Sequence, residues 1–211
     1  DLVRRGEQLS LAGADILDVG GVKAGPGEEV SEAEELDRVI PAVEALHARL
    51  DIAISVDTWR ASVLSAACEA GALVGNDISG FADPEYLSVA AKHKVSVVAT
   101  HIRLAPRVPD PDPHYDDLVS DVLAQLLDRA ERAESAGLDP DQIAVDAGLD
   151  LGKTPAMSAM LLRESGVLAA TGYTLLLSAS NKRFLGDLLG LDIDQRREAS
   201  LAAVAYGVAH G

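Results

Sequence analysis

Ile52-Ala53-Ile54-Ser55-Val56-Asp57-Thr58 is a strand-length, largely aliphatic run that stops at a carboxylate and a hydroxyl. The same construction recurs on both sides of it. Upstream, Ala14-Asp15-Ile16-Leu17-Asp18-Val19 runs into Gly20 and Gly21. Downstream, Ala72-Leu73-Val74-Gly75-Asn76 runs into Asp77, and Ser96-Val97-Val98-Ala99-Thr100 into His101. Gln142-Ile143-Ala144-Val145 then meets Asp146, and Leu175-Leu176-Leu177-Ser178 meets Ser180 and Lys182. Short aliphatic or β-branched runs bounded by polar residues read as strands.

Helix signatures lie between the runs. Ser31 before Glu32 to Glu35 predicts a helix start with an acidic first turn. Val63, Leu64, Ala67 and Cys68 have helical spacing, closed by Gly71. Val119, Val122, Leu123, Leu126, Ala130 and Ala133 form an apolar stripe before Gly137, and residues 155–170 and 195–210 also read as helices. Strict β-α alternation predicts a parallel sheet, either open and doubly wound or closed into a barrel. The polar strand ends favour the barrel. There they share one mouth, whereas in an open sheet only those near a switch point converge.

Composition sets further bounds. The 211 residues suffice for a single domain, 1–211, with a sizeable core. Aromatics are only 3% of residues against 48% hydrophobic, so that core is aliphatic, as suits a parallel sheet under Ala-rich helices. The net charge of −16 argues against nucleic acid and anionic membrane as partners. No apolar run is long enough to span a bilayer. One cysteine, Cys68, allows no intrachain disulfide and fits a reducing, cytoplasmic compartment. Gly148 to Thr154 imitates a phosphate loop but has one residue too few between its glycines. Arg103 to His114, with Pro106, Pro109, Pro111 and Pro113, reads as a loop over the mouth, either a stiff lid or a plain connector.

The strand ends offer acceptors (Asp57, Asp146 and, less directly, Asp18), an amide (Asn76) and a cation (Lys182). A heterocycle with an amino-pyrimidinone edge needs that mixture. Its adjacent N–H donors pair with a carboxylate, and its carbonyl takes a Lys or amide donor. Each residue alone has a plainer reading: Asp57 or Thr58 as a helix cap, Asp77 and His101 as structural groups.

With these residues in this order, the chain resembles the dihydropteroate synthase family. The resemblance runs through Gly13 to Gly21, Ile54 to Thr58, Asn76 to Gly80, Asp146 to Gly148 with Gly152 to Thr154, and Ser180 to Gly186. It implies an α/β fold, a pterin-binding (β/α)8 TIM barrel whose first strand would precede Asp1 and whose last would follow Gly211. It implies a transferase of folate biosynthesis that condenses 6-hydroxymethyl-7,8-dihydropterin pyrophosphate with the aromatic amine 4-aminobenzoate. Pyrophosphate would leave with magnesium (Mg2+), whose Asn ligand would lie upstream of Asp1, and a homodimer would be usual. By the same resemblance Asp57, Asn76 and Asp146 hold the pterin ring and Lys182 its carbonyl, with Asp57 and Lys182 central to catalysis. Ser180, Asn181 and Lys23 fall near the second substrate.

The chain departs from the family around that second substrate. The family's Glu-Ser-Thr-Arg-Pro-Gly is Val22 to Gly27 here, so Ala24 and Gly25 stand where Thr and Arg close over aminobenzoate. Asn181 replaces an Arg, Leu151 an aromatic residue and Thr100 a Met, and Asp150 is a new acid. Three readings follow: a synthase, a divergent pterin-binding paralogue with altered or lost activity, and a methyltetrahydrofolate-corrinoid methyltransferase-like enzyme, to which Asn181 lends weight.

Overall fold

The computed structural model of the chain describes residues 1–211. Six strands form one sheet: β1 (Ile16–Gly20), β2 (Ala53–Asp57), β3 (Val74–Asp77), β4 (Ser96–Thr100), β5 (Ile143–Asp146) and β6 (Thr174–Leu176). They are all parallel and lie in the order β1-β2-β3-β4-β5-β6. An unbroken sequential order is singly wound; a doubly wound sheet would reverse direction at a switch point. The sheet is therefore a six-strand portion of a barrel wall, and β1 and β6 are its two edges.

Nine helices accompany it: α1 (Leu2–Leu11), α2 (Glu32–His47), α3 (Ala61–Ala70), α4 (Tyr86–His93), α5 (Leu118–Ser135), α6 (Pro155–Arg163), α7 (Ser165–Ala169), α8 (Arg183–Leu189) and α9 (Arg197–Ala209). Ser31 caps α2, its hydroxyl accepting from the Glu34 amide at 3.2 Å. Gly71 ends α3 in the left-handed conformation at φ 115°, as its position predicts. The strand alternation separates two environments. Ile54 and Val56, Val97 and Ala99, and Ile143 and Val145 are buried beneath the helices. Their neighbours Asp18, Ser55, Asn76, Val98 and Ala144 line a concave cavity of about 450 Å³. Val39, Val43, Leu64, Ala67, Leu126 and Ala130 complete an aliphatic core. Each such fully buried Leu stabilises the fold by roughly 2–3 kcal/mol relative to exposure.

The structure corrects several boundaries. The strand expected over Leu175–Ser178 is Thr174–Leu176, because the chain turns early to bring Ser178 to Lys182 across the mouth. The helix expected over 155–170 breaks at Glu164, where the Ser165 hydroxyl donates to the Leu162 carbonyl at 2.6 Å and starts the separate α7. Glu35, in the acidic first turn of α2, is fully buried.

Candidate functional site

The C-terminal ends of the strands carry the polar residues, as expected, and the register decides which of them meet. Asp57 ends β2 directly beside Asn76 of β3, and Gly20 of β1 lies on its other side. A Cβ at Gly20 would sit 3.2 Å from the Asp57 Cβ and 3.3 Å from its Oδ2, close enough to press on that side chain. Asn76 Nδ2 donates to Asp18 Oδ2 at 3.2 Å, so the first three strands contribute one polar row. Asp146 ends β5 in register with Thr100. Its Oδ1 accepts from the Gly148 amide at 2.7 Å.

Lys182 lies within electrostatic reach of both carboxylates without pairing with either. It is half-buried at the start of α8, and its positive charge acts on both Asp57 and Asp146. Burial, then the charges of Asp18, Asp77 and Glu35, raise Asp57 to about 7 against the opposing pull of Lys182. Burial also raises Asp146. The Gly148 amide, the charges of Lys182 and Lys153, and the Ser178 hydroxyl oppose that shift. A carboxylate that is reluctant to ionise alone is one that gains from a ligand bringing N–H donors.

Thr58, the alternative cap, is used elsewhere. Its hydroxyl donates to Glu35 Oε1 at 2.7 Å and accepts from the Arg60 amide at 3.2 Å, while Glu35 also pairs with Arg60. The first amide of α3 is instead capped by Asp83, at 2.9 Å. Asp57 is thereby left to face the cleft. Asp77 is structural, accepting from the amides of Ser79 at 2.6 Å and Phe81 at 2.9 Å. His101 is buried and structural as well. Burial, then the charges of Lys153 and Arg129, push it down to about 2, so it is neutral and its Nδ1 accepts from Lys153 Nζ at 2.9 Å. Lys153 also reaches the carbonyls of Gly148 and Leu151, each at 2.9 Å. The lysine of the imitation phosphate loop thus staples the turn after Asp146 from a buried position.

Two of the departures from the family pattern have local roles. Asn181 adopts φ 59°, a left-handed conformation that Asn tolerates and Arg does not favour, and its amide donates to Ser200 Oγ at 2.8 Å. Asp150 accepts from the amides of Arg183 at 2.6 Å and Phe184 at 3.1 Å, capping α8 from a different loop. Ser180 and Lys23 are exposed at the rim. Lys23 belongs to the loop 21–31, whose carbonyls are held by three arginines. Arg38 donates to Gly21 at 2.8 Å, Arg60 to Val30 at 2.8 Å, and Arg107 to Lys23 and Glu28. Arg107 comes from the proline-rich segment, whose Arg103 and Asp110 pack close to Gly152 in the turn after β5; Tyr115, just beyond the segment, donates to the Gly152 carbonyl at 3.1 Å. That segment therefore bridges two loops of the mouth and is more than a connector. Between it, the loop 21–31 and α8 lies a second cleft of about 490 Å³.

Asp57, Asn76 and Lys182 were legible from sequence. The supporting groups Glu35, Lys153, Arg107 and the capping role of Asp150 were not, because each acts across loops. No group of three or more His, Cys, Asp or Glu side chains is placed to hold a metal ion. No helix is long and apolar enough to cross a membrane.

Comparison with known proteins bears on the family and the fold. The family model described as "Pterin binding enzyme" matches residues 1–211. The protein called "Inactive dihydropteroate synthase 2" in Mycobacterium leprae (strain TN) is 43% identical over 205 residues, covering 94% of this chain and 70% of that protein. The dihydropteroate synthase of Bacillus subtilis (strain 168) is 40% identical over 201 residues, covering 94% and 68%. Among solved structures, dihydropteroate synthase from Stenotrophomonas maltophilia with active-site-bound imidazole superposes with a TM-score of 0.94 at 40% identity, over 99% of this chain and 78% of that one. The Xanthomonas albilineans dihydropteroate synthase with 4-aminobenzoic acid gives 0.92 at 37% identity, over 99% and 75%.

Proposed function

This chain belongs to the pterin-binding enzyme family, and on that premise we propose that it is a dihydropteroate synthase-like transferase whose pterin half is the better preserved. The observation that carries the reading is the row Asp57-Asn76, with Asp146 on β5 and the Lys182 charge acting on both carboxylates. Asp57, Asn76 and Asp146 pair with the N–H groups of the pterin edge, and Lys182 donates to its ring carbonyl. The amine nitrogen of 4-aminobenzoate attacks the pterin methylene carbon, the carbon–oxygen bond to pyrophosphate breaks, and the amine proton is lost. Positioning supplies much of the rate, since no covalent intermediate with the protein is needed. Magnesium, which the resemblance implies, finds no group of three or more His, Cys, Asp or Glu side chains placed to hold it within residues 1–211.

The second reading, a paralogue with altered or lost synthase activity, is favoured by a specific observation. Ala24 and Gly25 offer no side-chain donor to an amine substrate, and Ser180, Asn181 and Lys23 sit exposed at the rim. The identity to a relative named as inactive supports it further. The methyltransferase-like reading rests on Asn181 alone, whose backbone at φ 59° suits Asn without bearing on the reaction. A homodimer is proposed from the exposed apolar residues Leu188, Leu189, Ile193, Leu201 and Val208 on the α8 to α9 face. A cytoplasmic location is proposed from the single cysteine.

Calorimetric titration with 6-hydroxymethyl-7,8-dihydropterin pyrophosphate, followed by a coupled assay with 4-aminobenzoate, tests both readings. Binding with turnover supports the synthase, and binding without turnover supports the paralogue. No pterin binding overturns both, and transfer from methyltetrahydrofolate to a corrinoid acceptor would support the third.

A further inference from the structure

Asp18 stands inside the polar row without being one of the groups assigned to the pterin ring. It is the middle residue of β1, on the concave side, and its Oδ2 lies 3.2 Å from Asn76 Nδ2. A carboxylate can only accept, so the amide atom facing it is the nitrogen and the other end of Asn76 is the oxygen. Asp18 thereby decides which way the Asn76 amide points. Without such a partner a terminal amide can present either end with little preference.

We infer that Asp18 is a positioning and specificity residue of the pterin site: by holding Asn76 Nδ2 it turns Asn76 Oδ1 toward the ligand, so that the site selects a heterocycle presenting an N–H donor at that position. The inference rests on the pterin reading for the identity of the ligand, but the orientation of the amide does not depend on it. A ring carrying an acceptor at that position would set two oxygens against each other and be rejected, as sites built to hydrogen-bond a substrate reject analogues lacking the matching group.

A second consequence follows from the same placement. The charged groups acting on Asp57 are Asp18 from β1, Glu35 from α2, Asp77 from β3 and Lys182 from the start of α8, with Arg38 and Arg107 lining the adjoining cleft. Asp18 is the first of the neighbouring charges that raise Asp57. It therefore acts on two ring contacts at once, by a hydrogen bond on Asn76 and through space on Asp57.

Two variants separate these effects. Asp18→Asn keeps an acceptor oxygen for Asn76 but removes the charge; Asp18→Ala removes both. Carboxyl carbon NMR on the ligand-free protein reads the Asp57 midpoint. It should fall in both variants, and a merely structural role would leave it in place. Calorimetry with 6-hydroxymethyl-7,8-dihydropterin pyrophosphate at pH 8 should show Asp18→Ala about tenfold weaker, the loss of one good hydrogen bond, with Asp18→Asn recovering most of that loss. Equal affinity of wild type and Asp18→Ala would overturn the inference, and an unchanged Asp57 midpoint would overturn its electrostatic part. Failure of the wild type itself to bind would overturn the pterin reading, while the midpoint measurement would still decide the electrostatic part.

Discussion

Gly20 and Asp57 face each other across the β1–β2 pair so closely that a methyl group on residue 20 would come within 3.3 Å of the Asp57 carboxylate. A side chain at residue 20 would therefore shift the Asp57 carboxylate by a few tenths of an ångström. Gly20→Ala should weaken pterin binding about tenfold through the misplaced carboxylate and lower stability by under roughly 1 kcal/mol. Calorimetry paired with a urea melt distinguishes this from general damage, which would move both together.

Pterin affinity should depend on pH through Asp57. The carboxylate form pairs with ring N–H groups, and its midpoint is raised to about 7. Affinity should be level above that value and weaken about tenfold per unit below it. A profile that is flat between pH 5 and 8 would count against ionised Asp57 as the acceptor.

Asp57→Asn should lose pterin binding yet stabilise the free protein. The folded state raises this carboxyl from its ordinary 3.8 to about 7 and so binds more protons than the unfolded chain between those values. Stability therefore declines as pH rises across that window and is lowest above it. Removing the charge should return about 1–2 kcal/mol at pH 8 after solvent screening, and nothing below pH 3.5. Thermal melts of both proteins at the two pH values read the difference directly.

Lys153→Met should be destabilising by about 2–3 kcal/mol, because the buried carbonyls of Gly148 and Leu151 and the ring nitrogen of His101 would lose their common donor. The Gly148 turn carries Asp146, so pterin affinity should fall in the same variant. Denaturant unfolding with an unchanged m value, together with calorimetry, checks it.

Asp150→Ala should uncap α8 and cost about 1 kcal/mol. Lys182 begins that helix, so weaker pterin binding should accompany the loss. Exchanging the whole Asp150–Leu151 pair for the residues usual in the family would introduce the aromatic wall and remove the cap together.

The periodic part of this fold was readable from the chain because strand runs and helix stripes are local patterns. Val97 and Val98 or Leu126 and Ala130 declare their elements without reference to anything distant. Asp57, Asn76 and Asp146 were readable because they follow such runs. What was hidden acts through contacts far apart in sequence. Glu35 looks like any acid in a helix's first turn, and only the approach of Thr58 and Arg60 buries it. Lys153 sits in an imitation phosphate loop until His101 arrives from β4. The early end of β6 and the break at Glu164 depend on how a turn is used, which periodicity does not report.

The strictly consecutive sheet order also bears on how the molecule is made. Every strand pairs only with its neighbours in the chain, so each β-α unit leaving the ribosome finds its partner surface already synthesised. Assembly along the sheet can advance with translation, one unit at a time, while the outer edges of β1 and β6 gain no partner from this order.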